Sequence, residues 1–394
     1  MQKISSRNLI LFPFLIFLTA KLSAQETVIV NKLNSIIKPI KALKADGSFD
    51  DASFLAEILK KKEVIALGEV THGTKEVFDY KDKLIRYMVS NLSYKAIAFE
   101  ADYNRLAQID SYINGTIDSI PISPEYKLLM NWLRAYNKTK NSKEDKVHVY
   151  GLELRGFSLT INKILTSNKH INQQDKELLQ KIKQTPFDKI DKETLGRFRT
   201  FCVGLPQDLY KKMLIQLIDN YNNFIDINSK IRARDIFMAE NAMAIKEDAP
   251  GQRLIIWAHN GHVAKTPLYK RPTMGMYLNK EYTDKYYVIA TDINKGYVSV
   301  RKVIAKNKPM SNWQPIYYPE VNSTKGYEYY FKQCKFKNFI LDVQEAGRDH
   351  ELNLFLTKEK EMRMIGGLST PVNKRLSIAN NFDMIIYFNE TNSI

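Results

Sequence analysis

The sequence predicts an α/β fold: a predominantly parallel sheet flanked by helices, with a helical insertion capping the carboxyl edge of the sheet. Short apolar runs recur along the chain and are typical of buried parallel strands. Amphipathic stretches separate these runs, as crossover connections between parallel strands require. Several runs also close on a glutamate or a histidine, and parallel strands bring their carboxyl ends to one edge of a sheet.

The first 24 residues have the pattern of a signal peptide. Lys3 and Arg7 form a basic start, Leu9–Leu18 is an apolar core, and Leu22–Ala24 offers small residues for cleavage. The core is about half of the roughly 20 residues that a membrane span needs. We therefore expect cleavage and export to the periplasm or the medium, rather than an uncleaved anchor. The mature chain, 25–394, is expected to be one catalytic domain without a stable membrane span.

Composition narrows the class of protein further. The formal net charge is +16, and 44% of the residues are hydrophobic, which is ordinary for a packed globule. The basic residues are spread over the surface without the interleaved aromatics of a nucleic-acid platform, so no nucleic-acid partner is expected. Cys202 and Cys334 are the only cysteines and leave a single disulfide open. The oligomeric state is left undetermined.

The first predicted elements lead to a turn that carries Glu69 and His72. Residues 51–62 follow a turn and are predicted as a helix, and the apolar run 64–67 before Gly68 as a strand. Residues 75–91 have apolar positions at helical spacing. Glu69 and His72 therefore lie between a strand and a helix, where open α/β sheets bind ligands.

The same alternation continues to the C-terminus. Apolar runs predict further strands, amphipathic stretches predict helices between them, and the long tract 158–247 contains no convincing strand, so it is predicted as the helical insertion. The strands are 94–100, 147–153, 254–259, 286–292, 339–343 and 384–388, and the first two are separated by helices at 105–116 and 121–136.

Polar residues are predicted at the carboxyl ends of five of these strands. Because such ends share one edge of a parallel sheet, the side chains are expected to converge. They are Glu69, Glu100, Glu153, His259 and Asp292, with His72 and His262 in the turns that follow.

Two reactions suit this set of side chains. In one, His72 takes a proton from water, Glu69 or Glu100 fixes its tautomer, and Lys81 or Arg86 stabilises the oxyanion of an ester. In the other, a divalent metal is bound by His72, His259 and His262 together with a glutamate. The chain has no P-loop, no dinucleotide fingerprint, no His-Glu-x-x-His helix and no complete nucleophile elbow.

Two motifs, Gly68–Glu76 and Trp257–His262, resemble signatures of the erythromycin esterase family. Gly68–Glu76 is similar to the first signature and Trp257–His262 to the second, and they stand in family order. Glu100, the Arg234-Asp235 segment and Met274-Gly275 also look like family landmarks.

The resemblance implies hydrolysis of a macrocyclic lactone, an erythromycin-type macrolide, by a base-activated water without metal or cofactor. Such an activity would confer macrolide resistance. It implies that His72 is the base, surrounded by Glu69, Glu100, His259 and His262. Arg234 and Glu153 join Lys81 and Arg86 as candidates for contacts with substrate or oxyanion. A metal-dependent hydrolase of another ester and a non-enzymatic metal- or cofactor-binding protein remain the alternatives.

Overall fold

The strands follow the predicted apolar runs closely. The computed structural model describes residues 26–47, 49–50, 53–167, 170–186, 189–225, 233–249, 251, 253–268, 271–302, 310–370 and 372–394. Within them the strands are β1 (Lys38–Pro39), β2 (Val64–Glu69), β3 (Ala96–Asp102), β4 (His148–Glu153), β5 (Leu254–His259), β6 (Tyr286–Arg301), β7 (Trp313–Tyr318), β8 (Asn338–Asp342), β9 (Lys360–Arg363), β10 (Asn373–Leu376) and β11 (Met384–Thr391).

Helices connect most of these strands. They are α1 (26–36), α2 (Ala56–Leu59), α3 (Lys75–Leu92), α4 (Tyr103–Ile113), α5 (Pro124–Lys138), α6 (Phe157–Ser167), α7 (Gln173–Gln184), α8 (Lys192–Val203), α9 (Leu209–Ile225), α10 (Arg234–Asp248), α11 (Asn260–Val263), α12 (Met274–Tyr282), α13 (Tyr327–Phe331), α14 (Val343–Ala346), α15 (His350–Thr357) and α16 (Ile378–Asn381). The helix predicted at 51–62 is shorter than expected where the structure describes it: residues 53–62 contain a 3-10 turn, Ser53–Leu55, and α2. The predicted signal peptide, 1–24, lies outside the described residues.

The chain divides into two compact units. Unit 1 contains the described residues up to Ala42 together with Val70–Val77 and Ala290–Ile394. Unit 2 contains Leu43–Glu69 and Phe78–Ile289. None of the helices that the structure describes is both long and apolar enough to cross a membrane.

Unit 2 contains the parallel sheet that the sequence predicts. Its strand order is the start of β6, then β2, β5, β3 and β4. The pairings β2–β6, β2–β5, β3–β5 and β3–β4 are all parallel. Every residue of β2 and β5 is buried, which explains their continuous apolar sequences. The predicted fold class is confirmed.

The helical insertion is also confirmed in unit 2. Helices α6 to α10 lie between β4 and β5, and α6 to α9 enclose a core of their own that includes Phe157, Leu179, Phe198 and Ile218. Helix α10 packs against β3 and β4 and begins at Arg234, whose side chain reaches the carboxyl ends of both strands. The insertion therefore covers this part of the sheet edge.

Unit 1 contains antiparallel pairs. Strand β8 pairs antiparallel with β1 and β11, and residues 296–301 of β6 pair antiparallel with β7. The predicted strand 286–292 is wrong at its end: β6 continues to Arg301, so Asp292 lies inside a strand. Asp292 is fully buried there, and burial raises its pKa well above the ordinary value, with nearby Glu328 adding to the rise.

Candidate active site

Strand register places polar side chains together in unit 2. In the pairing of β2 with β5, Glu69 stands opposite His259, and both are the last residues of their strands. Glu153 ends β4, while Glu100 lies two residues before the end of β3. Parallel strands bring these ends to one edge, as the sequence predicts.

Glu69 is held in a buried ion pair at this edge. Its Oε2 lies 2.9 Å from Lys81 Nζ and accepts a 2.5 Å hydrogen bond from Trp257 Nε1–H. Glu69 and Lys81 are each 1% exposed, and the ammonium lies 4.1 Å from the centroid of the Trp257 ring. Burial lowers the pKa of Lys81 to about 8, against the opposing attraction of Glu69. The attraction of Glu69 thus offsets part of the effect of burial on the Lys81 ammonium.

Arg234 joins two strands through their carboxylates. Its Nε donates to Glu153 Oε2 at 2.7 Å and its Nη2 to Glu153 Oε1 at 2.5 Å, which is the two-pronged geometry that only a guanidinium provides. The same Nη2 donates to Glu100 Oε1 at 3.0 Å. Burial by itself raises the pKa of Glu153, but the hydrogen bond and charge of Arg234 hold it below the ordinary value. Both carboxylates are thus fixed in position by one cation.

His262 completes this cluster as a cation. Its Nδ1 lies 2.7 Å from Asp235 Oδ1, and its Nε2 lies 3.4 Å from Glu100 Oε1 and 3.1 Å from Arg234 Nη1. Burial by itself lowers the pKa of His262, but Glu100 and Asp235 raise it to about 10. An imidazolium places its Nε2–H beside a second donor, Arg234 Nη1, but the attraction of Glu100 and Asp235 still raises the pKa. Three carboxylates, those of residues 100, 153 and 235, then face three cations, those of residues 155, 234 and 262.

His259 is oriented by the turn after β5. Its Nδ1 accepts the backbone N–H of Gly261 at 3.1 Å, so a neutral ring carries its proton on Nε2. Its own backbone N–H donates to Glu100 Oε2 at 3.0 Å. Glu100 is therefore held on both carboxylate oxygens, one by this amide and the other by Arg234. His259 is the N-cap of the short helix α11.

His72 belongs to unit 1, where its loop is held by the C-terminal part of the chain. The His72 N–H donates to Gly366 O at 3.3 Å, and the neighbouring Gly73 carbonyl accepts from Ser299 N–H at 2.9 Å. A Cβ on Gly73 would lie 2.0 Å from Ser299 O, so only glycine fits this close approach. The His72 side chain is half-buried.

Two predicted oxyanion cations are engaged elsewhere. Lys81 is buried against Glu69, and Arg86 forms a two-pronged ion pair with Asp82 through contacts of 2.7 Å. Both cations are therefore paired with carboxylates, and the oxyanion role expected for them stays a prediction. A lysine or arginine on a helix does not reveal its partner in the sequence, because the partner is chosen by packing.

Sequence reasoning missed two members of the site. Arg155 Nε donates to Glu153 Oε1 at 2.7 Å, and its guanidinium also donates to the Glu100 carbonyl. Trp257 supplies the indole N–H to Glu69. The position of Arg155 just beyond Glu153, at the end of a strand, was the available signal. Trp257 begins the second motif, but nothing in the sequence indicates that its indole N–H binds Glu69.

The structure also bears on metal binding and on the two cysteines. Among the described residues, no group of three or more His, Cys, Asp and Glu side chains has the arrangement of a metal site. Cys202 and Cys334 are free, buried thiols.

The fold and the site of unit 2 define an α/β protein with an ionic centre at the carboxyl ends of parallel strands. The chain belongs to the erythromycin esterase family, whose model, described as "Erythromycin esterase", matches residues 89–220 and 210–391. The Escherichia coli protein named erythromycin esterase type II is 23% identical over 282 residues, 58% of this chain and 67% of that protein.

Solved structures share the fold. A crystal structure of a Bacillus cereus protein has a TM-score of 0.79 at 21% identity, covering 93% of this chain and 98% of that one. A variant of the erythromycin esterase EreC in its open conformation has a TM-score of 0.66 at 15% identity, covering 87% and 94%. At such low identity the likeness concerns the fold, which agrees with the predicted α/β class.

Proposed function

We propose that the protein is a carboxylic ester hydrolase that opens the lactone of erythromycin-type macrolides and so confers macrolide resistance. The observation that carries this proposal is the buried cluster of Arg234 and His262 against Glu100, Glu153 and Asp235. Family membership and the similarity to erythromycin esterase type II favour a macrolide as the substrate.

The cluster holds two cationic side chains, Arg234 and His262, at fixed positions beside their carboxylate partners. Water attack on an ester carbonyl moves negative charge onto the carbonyl oxygen, and preorganised cations lower the barrier most where that charge develops. Arg234 and His262 are both cationic at neutral pH and are held by short contacts to carboxylates. They therefore need little rearrangement as the reaction proceeds.

The role of general base is assigned to His72 on the family resemblance. A neutral imidazole takes one proton from water as the hydroxide adds to the carbonyl carbon, and the tetrahedral intermediate then releases the ring alkoxide. The imidazolium returns that proton to the alkoxide, so the products are a carboxylic acid and an alcohol. No other reactant is required.

The decisive experiment measures ring opening directly. Purified mature protein is incubated with a 14-membered macrolide, and mass spectrometry follows the gain of one water. We expect turnover by the wild type, loss of at least 100-fold in His72→Ala, and full activity in His350→Ala, the matched control, because His350 is an exposed histidine. Absence of turnover in the wild type, or full activity in His72→Ala, would overturn the proposal.

A chelator distinguishes the metal-dependent alternative. We expect the rate to be unchanged after treatment with a chelator and dialysis. A rate that falls and returns with added zinc would favour a metal-dependent hydrolase, and a metal-loaded protein without esterase activity would favour the binding protein.

We also propose that the protein is exported, which rests on the signal-peptide pattern of residues 1–24. The N-terminal sequence of protein recovered from the periplasm or medium is expected to begin at Gln25. Protein found only inside the cell with Met1 intact would contradict export.

A further inference from the structure

Three aromatic side chains are exposed together on the antiparallel ribbon of unit 1. Trp313 and Tyr317 are spaced by four residues on β7 and so share one face, while Tyr297 of β6 stands opposite Tyr317. Their exposed fractions are 54%, 49% and 50%, and the rings of the two tyrosines lie 5.2 Å apart. Exposed aromatic groups of this size are typical of binding surfaces rather than of ordinary surface strands.

This aromatic face adjoins His72 at Gly367. A Cβ on Gly367 would lie 3.1 Å from Trp313 Cη2 and 3.2 Å from His72 Cδ2. The indole and the imidazole therefore both lie within van der Waals reach of this one position. A side chain at this position would be tight against both rings, so glycine allows them to approach the same backbone segment.

The backbone fixes this arrangement. Arg301 is the register partner of Trp313, and its N–H donates to Gly367 O at 3.0 Å. The His72 N–H donates to Gly366 O, one residue earlier. Strand β6 and the loop of His72 are thus tied to the same short segment, which keeps the indole beside the imidazole.

We propose that Trp313 determines specificity by receiving the apolar face of a large ring ester while its ester group is at His72. The inference rests on the proposed function for the identity of the ester. A half-exposed indole offers a broad, flat apolar surface, which suits the aliphatic face of a 14-membered lactone. A small ester such as p-nitrophenyl acetate has no macrocycle to place there, so Trp313 matters chiefly for large ring esters.

The test compares binding with turnover. Binding of erythromycin is measured by calorimetry to the His72→Ala protein, which does not turn it over, and to the same protein carrying Trp313→Ala, Trp313→Phe or Leu354→Ala. Loss of a well-packed aromatic contact predicts binding weaker by roughly 10-fold or more for Trp313→Ala. Trp313→Phe is expected to retain most of the affinity. Leu354→Ala, an exposed control in unit 1, is expected to retain all of it.

Turnover with His72 present supplies the second measurement. Trp313→Ala is expected to raise the KM for the macrolide roughly 10-fold and to change the KM for p-nitrophenyl acetate by a much smaller factor. Binding as tight as that of the parent, or equal losses for both esters, would overturn the inference. A parent that binds no macrolide would overturn it too. If the His72→Ala protein binds erythromycin but the wild type hydrolyses no ester, only the proposed function is refuted. Weaker binding of erythromycin after Trp313→Ala would then still support the role of Trp313.

Discussion

The charge of His262 is expected to set the alkaline limit of the enzyme, and Asp235→Asn tests this directly. Asp235 Oδ1 lies 2.7 Å from His262 Nδ1 and also accepts the Met274 N–H at 3.0 Å. Asparagine keeps a carbonyl oxygen that can accept from both donors, so the substitution removes a charge with little change of shape. We expect the pKa of His262 to fall.

The expected shift follows from the two carboxylates around the ring. Together, Glu100 and Asp235 raise the pKa of His262 to about 10 from an ordinary value of 6.5. One opposite charge at this range is worth roughly 1–3 pH units, so the variant should titrate between about 7 and 9. If the proposed role is right, activity is lost as His262 loses its proton. The pH midpoint of the alkaline limb of kcat/KM should therefore fall by as many units as the pKa of His262.

Asp235→Asn should also lower the free energy of unfolding. Because the folded pKa is raised, the contribution of His262 is complete below pH 6.5 and is lost as the pH rises from 6.5 through about 10. At about 1.4 kcal/mol per unit, Asp235→Asn should lower the free energy of unfolding at pH 6 by about 1–4 kcal/mol. The difference between the two proteins should disappear above pH 10.

Histidine NMR titration, urea unfolding at several pH values and the pH–rate profile measure these quantities. Asp110→Asn is the matched control, because Asp110 Oδ2 lies 3.1 Å from His148 Nδ1 in a second pair of the same kind. It should lower the pKa of His148 and leave that of His262 unchanged. A folded Asp235→Asn protein with the alkaline limb and His262 titration of the wild type would refute the reasoning.

Three further substitutions test the buried contacts. Lys81→Met leaves the Glu69 carboxylate buried without its cation and should cost about 3–5 kcal/mol in urea unfolding; adding Glu69→Gln should restore most of this. Gly73→Ala places a Cβ 2.0 Å from Ser299 O and should cost about 1–3 kcal/mol, measured by thermal unfolding. Arg234→Lys keeps the charge but loses the two-pronged hydrogen bond, and kcat/KM should fall roughly 10- to 100-fold.

Each of these results has a clear contrary outcome. A Lys81→Met protein as stable as the wild type would mean that the carboxylate is reached by water. Wild-type stability of Gly73→Ala would mean that the loop shifts without cost. Full activity of Arg234→Lys would show that the proposed reaction does not need the geometry of the guanidinium. The matched control for Lys81→Met is Lys60→Met, which removes the cation of an exposed ion pair.

Local sequence pattern was sufficient to predict much of unit 2. The strands β2 and β5 are buried on both faces and therefore read as unbroken apolar runs, and α3 has apolar residues at helical spacing. The convergence of Glu100, Glu153 and His259 followed from parallel strands alone. These features depend on near neighbours in the chain and on one rule of sheet geometry.

Tertiary contacts decided what the pattern left open. Asp292 ends an apolar run, yet β6 continues past it because its later residues find antiparallel partners on β7. Lys81 looked like an available cation, but a residue twelve positions earlier in the chain takes up its charge. Sequence by itself determined which residue types stand at the strand ends. Only packing decided their partners and charge states, because a pKa depends on burial and on charges brought together from distant parts of the chain.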